Sequence, residues 1–294
     1  MGPESARGGE PIELPGFSYL PRFITVAESE WLLNYFGSLM PLWETRYAGN
    51  ERAREGQGTR RLTRPVYWLG AWQFACLGYY TVNHQQEKCL RAEPMPPQLV
   101  SILRRLAPQL SPHQTELEQG LLPNTCLINY YGSELTLDAK GRPQPVDFAR
   151  LKMHRDGEPG PVVMFSLGQP ANFEFVDGAR PEAPELSMWL ANRSVVLFSG
   201  PNFKDRLYHR VTRVRHGDSP VMPEPLPGFR LRRISVSFRY VPEGHIKSLR
   251  EFSADAQAQM RGYVEELAKS SAHFRGELQP QSGEAGNGSS DRPD

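Results

Sequence analysis

The order of apolar and polar residues along the chain predicts two kinds of secondary structure. An early segment, TVAESEWLLNYFGSLM, begins with Thr25 and Glu28 at capping-box spacing and continues with apolar residues at helical intervals. It predicts a helix that packs against a flat surface. From about residue 120 the pattern changes to short apolar stretches separated by turn residues, which is typical of strands.

The strand-rich half determines the predicted fold class. Its predicted strands are TCLINYYG, GPVVMFSLG, ANFEFVDG, LSMWLANRSVVLFSG and RLRRISVSFRYV, and no helix-length pattern interrupts them. Such a series favours an antiparallel sandwich or barrel of the jelly-roll kind. We therefore predict an α+β protein with a mainly β core, a double-stranded β-helix.

Five segments follow from these patterns. Residues 1–14 lack periodicity and are predicted to be a flexible arm, and residues 15–115 hold the predicted N-terminal helix and the stretch that links it to the core. The jelly-roll core is predicted over 116–243. A polar amphipathic pattern predicts a C-terminal helix over 244–275, and low complexity predicts a disordered tail over 276–294.

Composition narrows the class of protein without identifying a partner. The chain has 294 residues, 39% of them hydrophobic, and we see neither a secretory signal nor an apolar run long enough to span a membrane. Cys76, Cys89 and Cys126 have no metal-type spacing, which favours a reducing compartment. We expect a cytoplasmic monomer, or a nuclear one in a eukaryote. A net charge of +1 means that a nucleic-acid partner would need a local basic patch.

The candidate chemistry begins with a His-x-Asp pair in LKMHRDGEPGP. His154 and Asp156 are two residues apart, so on a strand both side chains point to the same face. His209 follows in RLYHRV, on a strand that a closed sandwich can bring back against the first pair. Two histidines and one carboxylate suit a non-haem Fe(II) that keeps coordination positions open. The alternative is that each is an ordinary surface or core residue.

A second candidate feature is the arginine-bearing strand RRISVSFRY. Apolar residues alternate there with Arg233, Ser235, Ser237 and Arg239, which indicates a strand with one polar face. The two arginines are six residues apart, roughly 20 Å along a strand, and together can hold both ends of a short dicarboxylate. The alternative is a solvent-facing edge strand.

Several motifs together resemble the AlkB family of Fe(II)- and 2-oxoglutarate-dependent dioxygenases. They are PNTCLINYYGSE, HRDGE, FSLGQPANFEF, SVVLFSGPNFKDRLYHRV and RRISVSFR, in this order, and the resemblance covers about residues 60 to 241. It implies that His154, Asp156 and His209 bind iron, with 2-oxoglutarate and O2 as co-substrates. It also implies that Arg233 binds the far carboxylate of 2-oxoglutarate and that Arg239 lies near the iron-bound end.

The resemblance implies further contacts to the co-substrate. Asn129 and Tyr131 match the family's Asn-x-Tyr motif, which contacts 2-oxoglutarate. Ser235 stands where the family pattern has asparagine and is expected to contact the co-substrate more weakly. Residues 132–153 contain an insertion that separates Tyr131 from His154, and we expect it to form a hairpin or loop at the rim of the site.

The resemblance extends upstream to a lid that folds over a flipped-out base. WLGAWQFACLGYYTVN and EPMPPQL resemble this lid, so Trp72, Tyr79 and Tyr80 become candidate substrate contacts. Trp72, like Trp68, is equally interpretable as a core residue of a strand. Glu158 occupies an acidic position that often follows the His-x-Asp pair, where it either bonds an exocyclic amine or is solvated.

The function implied by the resemblance is oxidative N-dealkylation of alkylated DNA or RNA bases. Two groups of cations are candidates for phosphate contacts, with pairing to acidic residues as the alternative. The group around His209 is Lys204, Arg206, Arg210, Arg213 and Arg215, and a predicted basic loop holds Arg52, Arg54, Arg60, Arg61 and Arg64. The other hypotheses are a hydroxylase or demethylase of a protein or small molecule, and a catalytically silent jelly-roll binding protein.

Overall fold

A computed structural model describes residues 9–42, 44–46, 61–72, 89–113, 120–147, 150–216 and 229–279. Its helices are α1 (Val26–Ser38), α2 (Pro97–Leu110), α3 (Ala254–Ala268) and α4 (Ala272–Leu278). Its first strands are β1 (Ile12–Leu14), β2 (Phe17–Leu20), β3 (Glu44–Arg46), β4 (Arg61–Leu69), β5 (Ala71–Trp72), β6 (Cys89–Arg91), β7 (Thr125–Leu137) and β8 (Pro143–Asp147). They are followed by β9 (Leu151–His154), β10 (Val162–Gly168), β11 (Ala171–Val176), β12 (Leu186–Leu190), β13 (Ser194–Phe198), β14 (Tyr208–Val214), β15 (Phe229–Arg239) and β16 (Ile246–Lys247).

Two antiparallel sheets form the jelly roll, which agrees with the predicted mainly β core. The larger sheet has the strand order β1-β2-β13-β10-β15-β7-β4-β3, with β8 paired to β7. The smaller sheet has the order β12-β11-β14-β9. A three-stranded sheet, β16-β6-β5, does not pair with either, although Ala71 of β5 bonds the Thr125 hydroxyl of β7.

Two hydrophobic clusters hold these layers together. One contains apolar side chains of the large sheet together with those of α1, α2, α3 and α4. The other lies between the two sheets and includes the aromatic rings of Phe17, Phe173, Phe175 and Phe198. Burial of each such ring stabilises the folded state by roughly 1.5–3 kcal/mol. The large sheet therefore packs against apolar side chains on both of its faces.

The N-terminal helix forms where the capping pattern predicts it. The Thr25 side chain accepts a hydrogen bond from the backbone of Glu28, and the Glu28 side chain accepts one from the backbone of Thr25. Leu32, Leu33 and Phe36 of α1 are buried against the sheet. The capping box thus fixes the start of the helix, and its apolar face fixes the side that packs.

Strand β15 lies in the middle of the large sheet, between β10 and β7. This position excludes the alternative of a solvent-facing edge strand. A register shift between Leu231 and Arg233 changes which way the side chains point. Leu231 therefore packs in the helix-side cluster together with Ile234, whereas Arg233 belongs to the opposite face of the sheet.

The insertion between Tyr131 and His154 forms a β-hairpin, as expected. Strands β7 and β8 pair antiparallel from Ser133 opposite Asp147 to Leu137 opposite Pro143. Asp138 closes the turn, since its carboxylate accepts hydrogen bonds from the backbone of Lys140 and Arg142. The hairpin therefore extends the large sheet at β7.

Several predicted boundaries need correction. Residues 12–14, assigned to the flexible arm, form β1, because their backbone pairs with β2. Arg61 and Arg64, assigned to a basic loop, lie in β4. The predicted single helix over 244–275 is replaced by β16, short 3-10 turns, α3 and α4, and α4 extends into the predicted tail as far as Leu278. The predicted tail beyond residue 279 lies outside the described residues.

The C-terminal elements are docked by buried polar contacts as well as apolar ones. Glu93 accepts hydrogen bonds from the hydroxyl of Tyr67 at 3.0 Å and from the hydroxyl of Ser271 at 2.6 Å. Phe274 of α4 is fully buried in the helix-side cluster. The helices after β15 are therefore part of the folded body. None of the helices within the described ranges has the length and hydropathy of a membrane span.

Candidate metal centre and adjoining pocket

Three side chains from two neighbouring strands and the loop after β9 converge at one point. His154 at the end of β9 lies directly opposite His209 on β14, and their ring centres are 4.1 Å apart. Asp156, just beyond β9, places its Oδ2 atom 3.4 Å from Nε2 of His209. One possible ligand atom from each of these residues lies within 4.8 Å of the others. The predicted triad is thus assembled, and we call it the metal centre.

The hydrogen bonds around the triad leave suitable lone pairs for a metal. Nδ1 of His154 lies 2.9 Å from the backbone oxygen of Lys152, so it must carry the proton and Nε2 keeps its lone pair. Oδ1 of Asp156 is bound by Arg239, whereas the buried Oδ2 has no hydrogen-bond partner in the described part of the chain. The set of two imidazoles and one carboxylate fits non-haem Fe(II).

The protonation states of the triad also suit a metal. Burial lowers the pKa of His209 to about 3 and also lowers the pKa of His154, so both imidazoles are neutral near pH 7. Burial alone would raise the pKa of Asp156, but Arg239 and the two histidines hold it well below its ordinary value. Metal binding requires neutral histidines and an ionised carboxylate.

Arg239 is the partner that positions the carboxylate ligand. Its Nε donates to Oδ1 of Asp156 at 2.7 Å, and its Nη2 lies 2.5 Å from the same oxygen. Its Nε is also 3.5 Å from Oε2 of Glu158. Burial raises the pKa of Glu158, and the charge of Arg239 partly opposes this effect. Arg239 is therefore bound to carboxylates of the protein, and its contact near the iron-bound end of 2-oxoglutarate stays a prediction.

Comparison with known proteins agrees with this geometry. The profile of the 2OG-Fe(II) oxygenase superfamily matches residues 16–239. The chain belongs to the 2OG-Fe(II) oxygenase superfamily. It is therefore an oxidoreductase whose family uses Fe(II) and 2-oxoglutarate, with His154, Asp156 and His209 as candidate iron ligands.

One solved structure supports the fold. The structure of OsALKBH1 superimposes with a TM-score of 0.51 at 18% sequence identity, covering 79% of this chain and 100% of that chain. A 2OG-Fe(II) oxygenase family oxidoreductase from Burkholderia pseudomallei aligns with a TM-score of 0.37 and 16% identity, covering 76% of this chain and 84% of that one. No protein of curated function matches the sequence. The resemblance to AlkB-type enzymes is thus confirmed for the superfamily and the fold.

A group of buried polar side chains lies on β15 and its two neighbouring strands, and β15 also carries Arg239, which bonds Asp156 of the metal centre. The residues of this group lie in register on three strands: Asn129, Ser235 and Ser166 form one row, and Tyr131 and Arg233 belong to the next. We call these five residues the co-substrate pocket. Every one of them is buried. The polar face predicted for β15 therefore faces the interior of the jelly roll.

Several polar atoms in the co-substrate pocket have no protein partner. Nε of Arg233 donates to the hydroxyl of Ser166 at 3.2 Å, but its two Nη atoms make no hydrogen bond of normal geometry within the described residues. The same holds for the hydroxyls of Tyr131 and Ser235. Burial lowers the pKa of Arg233. Buried donors without partners are costly, so this set fits an anionic ligand such as a carboxylate of 2-oxoglutarate.

Arg64 is a residue of the site that the motifs do not identify. Its Nε donates to Oδ1 of Asn129 at 2.8 Å, and its guanidinium carbon lies 5.4 Å from the ring centre of Tyr131. In the sequence it looks like one of several arginines around two glycines. The available signal was its position two residues before the apolar run VYWL, which predicts a strand running beside the Asn-x-Tyr motif.

The predicted substrate contacts are only partly within the described residues. Trp72 ends β5, but its side chain lies outside them, as do Tyr79 and Tyr80. Trp68 is 1% exposed and belongs to the helix-side core, as one interpretation of the sequence held. Glu158 is 7% exposed, so the interpretation of a solvated Glu158 is wrong.

Most of the basic residues near His209 have roles within the protein. Arg206 pairs with Glu185 at 2.6 Å and Arg210 pairs with Glu174 at 2.7 Å, so the alternative of pairing with acids holds for both. Lys204 is buried. Arg213 and Arg215 are exposed and lie over the ring of Trp189, at 5.0 and 4.6 Å from its centre. Arg52, Arg54 and Arg60 lie outside the described residues.

Proposed function

We propose that this oxygenase oxidatively removes alkyl groups from nitrogen atoms of nucleic-acid bases. The observation that carries the proposal is the joint presence of the metal centre and the co-substrate pocket in the motif order of AlkB-type enzymes. Each methyl group would be converted as follows: the methylated base, 2-oxoglutarate and O2 give the demethylated base, formaldehyde, succinate and CO2. Bound Fe(II) and 2-oxoglutarate supply the oxidant.

The protein's own residues provide binding and orientation in this proposal. Arg233, Tyr131 and Ser235 donate hydrogen bonds to a carboxylate of 2-oxoglutarate, because the Nη atoms of Arg233 and the two hydroxyls have no hydrogen-bond partner of normal geometry among the described residues. Arg239 holds Asp156 in one orientation, with Oδ2 directed away from the guanidinium, so that the carboxylate does not need to reorganise when the metal binds. The donors of the co-substrate pocket and the Arg239–Asp156 pair are in place before the substrate binds. Little entropy is therefore lost in ordering these side chains during catalysis.

Two features support a nucleic-acid substrate. The exposed guanidiniums of Arg213 and Arg215, stacked on Trp189, form no ion pair with an acid in the described part of the chain and can contact phosphates. Glu158, held within reach of Arg239 beside Asp156, adds an acceptor for an exocyclic amine. Trp72, Tyr79 and Tyr80 are proposed to stack on the base, as the AlkB-type motifs imply.

The test is release of succinate and formaldehyde by the purified protein with Fe(II), 2-oxoglutarate and O2. A single-stranded oligonucleotide carrying N-methylated bases is compared with the same sequence without methyl groups. We expect the methylated oligonucleotide to stimulate succinate release and to yield formaldehyde. His154→Ala should abolish both, since it removes a metal ligand.

The control variant is Arg250→Ala, which changes an exposed arginine after β16 and should leave both products unchanged. Formaldehyde from the methylated oligonucleotide that also appears with His154→Ala would contradict the proposal. Succinate release that requires His154 but ignores every methylated oligonucleotide would also contradict it, and would favour a protein or small-molecule substrate. The inserted hairpin of β7 and β8 would then be the first surface to examine.

A further inference from the structure

Asn129 has one hydrogen-bonding end that faces Arg64 and one that does not. Arginine carries only hydrogen-bond donors, so the atom of Asn129 that lies 2.8 Å from Nε of Arg64 must be the carbonyl oxygen. The NH2 group of the amide is therefore directed away from Arg64. This assignment follows from the chemistry of the two groups and removes the usual ambiguity of an amide side chain.

The orientation of Asn129 matters because of its neighbours. Asn129 lies directly opposite Ser235 on β15, and Ser235 lies opposite Ser166 on β10. Arg233 and the Tyr131 hydroxyl complete the pocket with donors. If the side-chain amide of Asn129 were flipped by about 180°, it would instead present its carbonyl oxygen to the same ligand. For a carboxylate, that change replaces an attractive contact with a repulsive one.

Arg64 also lies close to the rest of the pocket. Its guanidinium carbon is 5.4 Å from the Tyr131 ring centre, and the guanidinium carbon of Arg233 is 4.8 Å from the same point. The two cations thus share one aromatic ring, and the charge of Arg64 contributes to lowering the pKa of Arg233. Two positive charges near the co-substrate pocket favour the binding of an anion there.

We propose that Arg64 is a positioning residue that fixes the Asn129 amide so that the pocket presents only donors to 2-oxoglutarate. The proposal concerns the binding of 2-oxoglutarate, the co-substrate of the family, and does not depend on the identity of the oxidised substrate. Arg64 acts through Asn129, so its effect should appear in the affinity for 2-oxoglutarate and not in the affinity for the metal. By fixing the Asn129 amide, Arg64 makes the co-substrate pocket selective for an anion at the position that Asn129 faces.

The experiment measures binding of 2-oxoglutarate to the Mn(II)-loaded protein by isothermal titration calorimetry without O2. We expect Arg64→Met to raise the Kd about tenfold, the size of effect that one hydrogen bond to a charged group produces. Arg64→Lys should retain most of the affinity, because an ammonium can donate to the same oxygen. The Kd for Mn(II) and the melting temperature test whether each variant is folded and loaded.

A double-mutant cycle distinguishes positioning from a direct effect of the Arg64 charge. In an Asn129→Ala background, Arg64→Met should cause little further loss, because the residue it positions is gone. The matched control is Arg230→Met, an exposed arginine on β15, which should leave the Kd for 2-oxoglutarate unchanged. In uncoupled turnover without an oxidised substrate, Arg64→Met should raise KM for 2-oxoglutarate with little change in kcat.

Three results would overturn the proposal. The first is a Kd within about twofold of wild type for Arg64→Met. The second is a loss in Arg64→Lys as large as in Arg64→Met. The third is a full, additive loss from Arg64→Met in the Asn129→Ala background. None of these readouts uses an oligonucleotide, so failure of the nucleic-acid proposal leaves them interpretable.

Discussion

Two buried arginines of β15, Arg239 at its end and Arg233 near its middle, differ in how their charges are compensated. At the end near the metal centre, Arg239 is bound to Asp156 and lies near Glu158. Nearer the middle of the strand, Arg233 donates to the Ser166 hydroxyl and lies over the Tyr131 ring, and it forms no ion pair within the described ranges. Both guanidiniums are almost fully buried. One arginine therefore pairs with carboxylates of the protein, whereas the other is proposed to bind an anionic ligand.

The largest predicted effect compares the two arginines directly in the metal-free protein. Arg239→Met should lower the free energy of unfolding by about 3–5 kcal/mol, because it leaves two buried carboxylates without their cation. Arg233→Met should raise it by about 1–2 kcal/mol, because it removes a buried cation that lacks an anion. Urea denaturation in the presence of a chelator measures both.

The two substitutions should also separate in ligand binding. Arg233→Met should weaken 2-oxoglutarate binding about 100-fold, since it removes two donors to a carboxylate. Arg230→Met controls for loss of an arginine from the same strand. If Arg233→Met destabilises the protein as much as Arg239→Met does, the contrast between the two arginines is wrong.

A third polar cluster, around the buried His113, extends the comparison because it makes the stability of the fold depend on pH. The Ser18 hydroxyl donates to Glu13 at 2.6 Å and therefore accepts from Nε2 of His113 at 2.8 Å, while Nδ1 of His113 accepts from the Ser199 hydroxyl at 2.9 Å. Burial lowers the pKa of His113, an effect that Glu13 only partly opposes. The unfolded chain thus takes up a proton more readily than the folded one.

The sign of the pH effect follows from this difference. The stability contributed by neutral His113 is fully present above the ordinary histidine pKa of about 6.5 and is lost as the pH falls below it. Between pH 7.5 and 5.5 the urea midpoint should therefore fall more for the wild type than for His113→Gln. Equal falls in the two proteins would show that His113 takes up a proton as readily in the folded chain as in the unfolded one. We expect the difference to be smaller than either arginine effect.

The smallest predicted effect concerns exposed arginines and rests on the nucleic-acid proposal. Arg213→Ala and Arg215→Ala should each lower affinity for a single-stranded oligonucleotide about threefold and reduce the slope of log K against log salt by about 1. Arg206→Ala is the matched control, because Glu185 already compensates its charge. If Arg206→Ala lowered the affinity for the oligonucleotide more than Arg213→Ala and Arg215→Ala do, the prediction that Arg213 and Arg215 contact phosphates would be wrong.

Local patterns in the sequence predict much of this site. The His-x-Asp spacing identifies His154 and Asp156, and alternation in RRISVSFRY identifies the polar face that carries Arg233. The capping box places the start of α1. These features depend on residues a few positions apart, where backbone geometry alone decides which side chains share a face.

Features that depend on distant pairing could not be predicted in the same way. Arg239 bonds Asp156, Arg206 bonds Glu185, and Arg64 bonds Asn129, each across a separation that only the sheet topology brings together. Likewise, residues 12–14 form a strand because β2 offers them an edge, and not because of their own composition. Such partners depend on register, which a single sequence does not specify.

Strand β16 has a consequence for how the chain folds as it is synthesised. Ile246 pairs with Cys89 and Lys247 pairs with Leu90, so β6 obtains one of its two neighbours from a segment that follows the whole jelly roll in the chain. Domains begin to fold from the N-terminal side as they leave the ribosome. Until residues 246 and 247 emerge, one edge of β6 stays exposed and open to pairing with another chain. The three-stranded sheet is thus completed only after residues 246 and 247 have been synthesised.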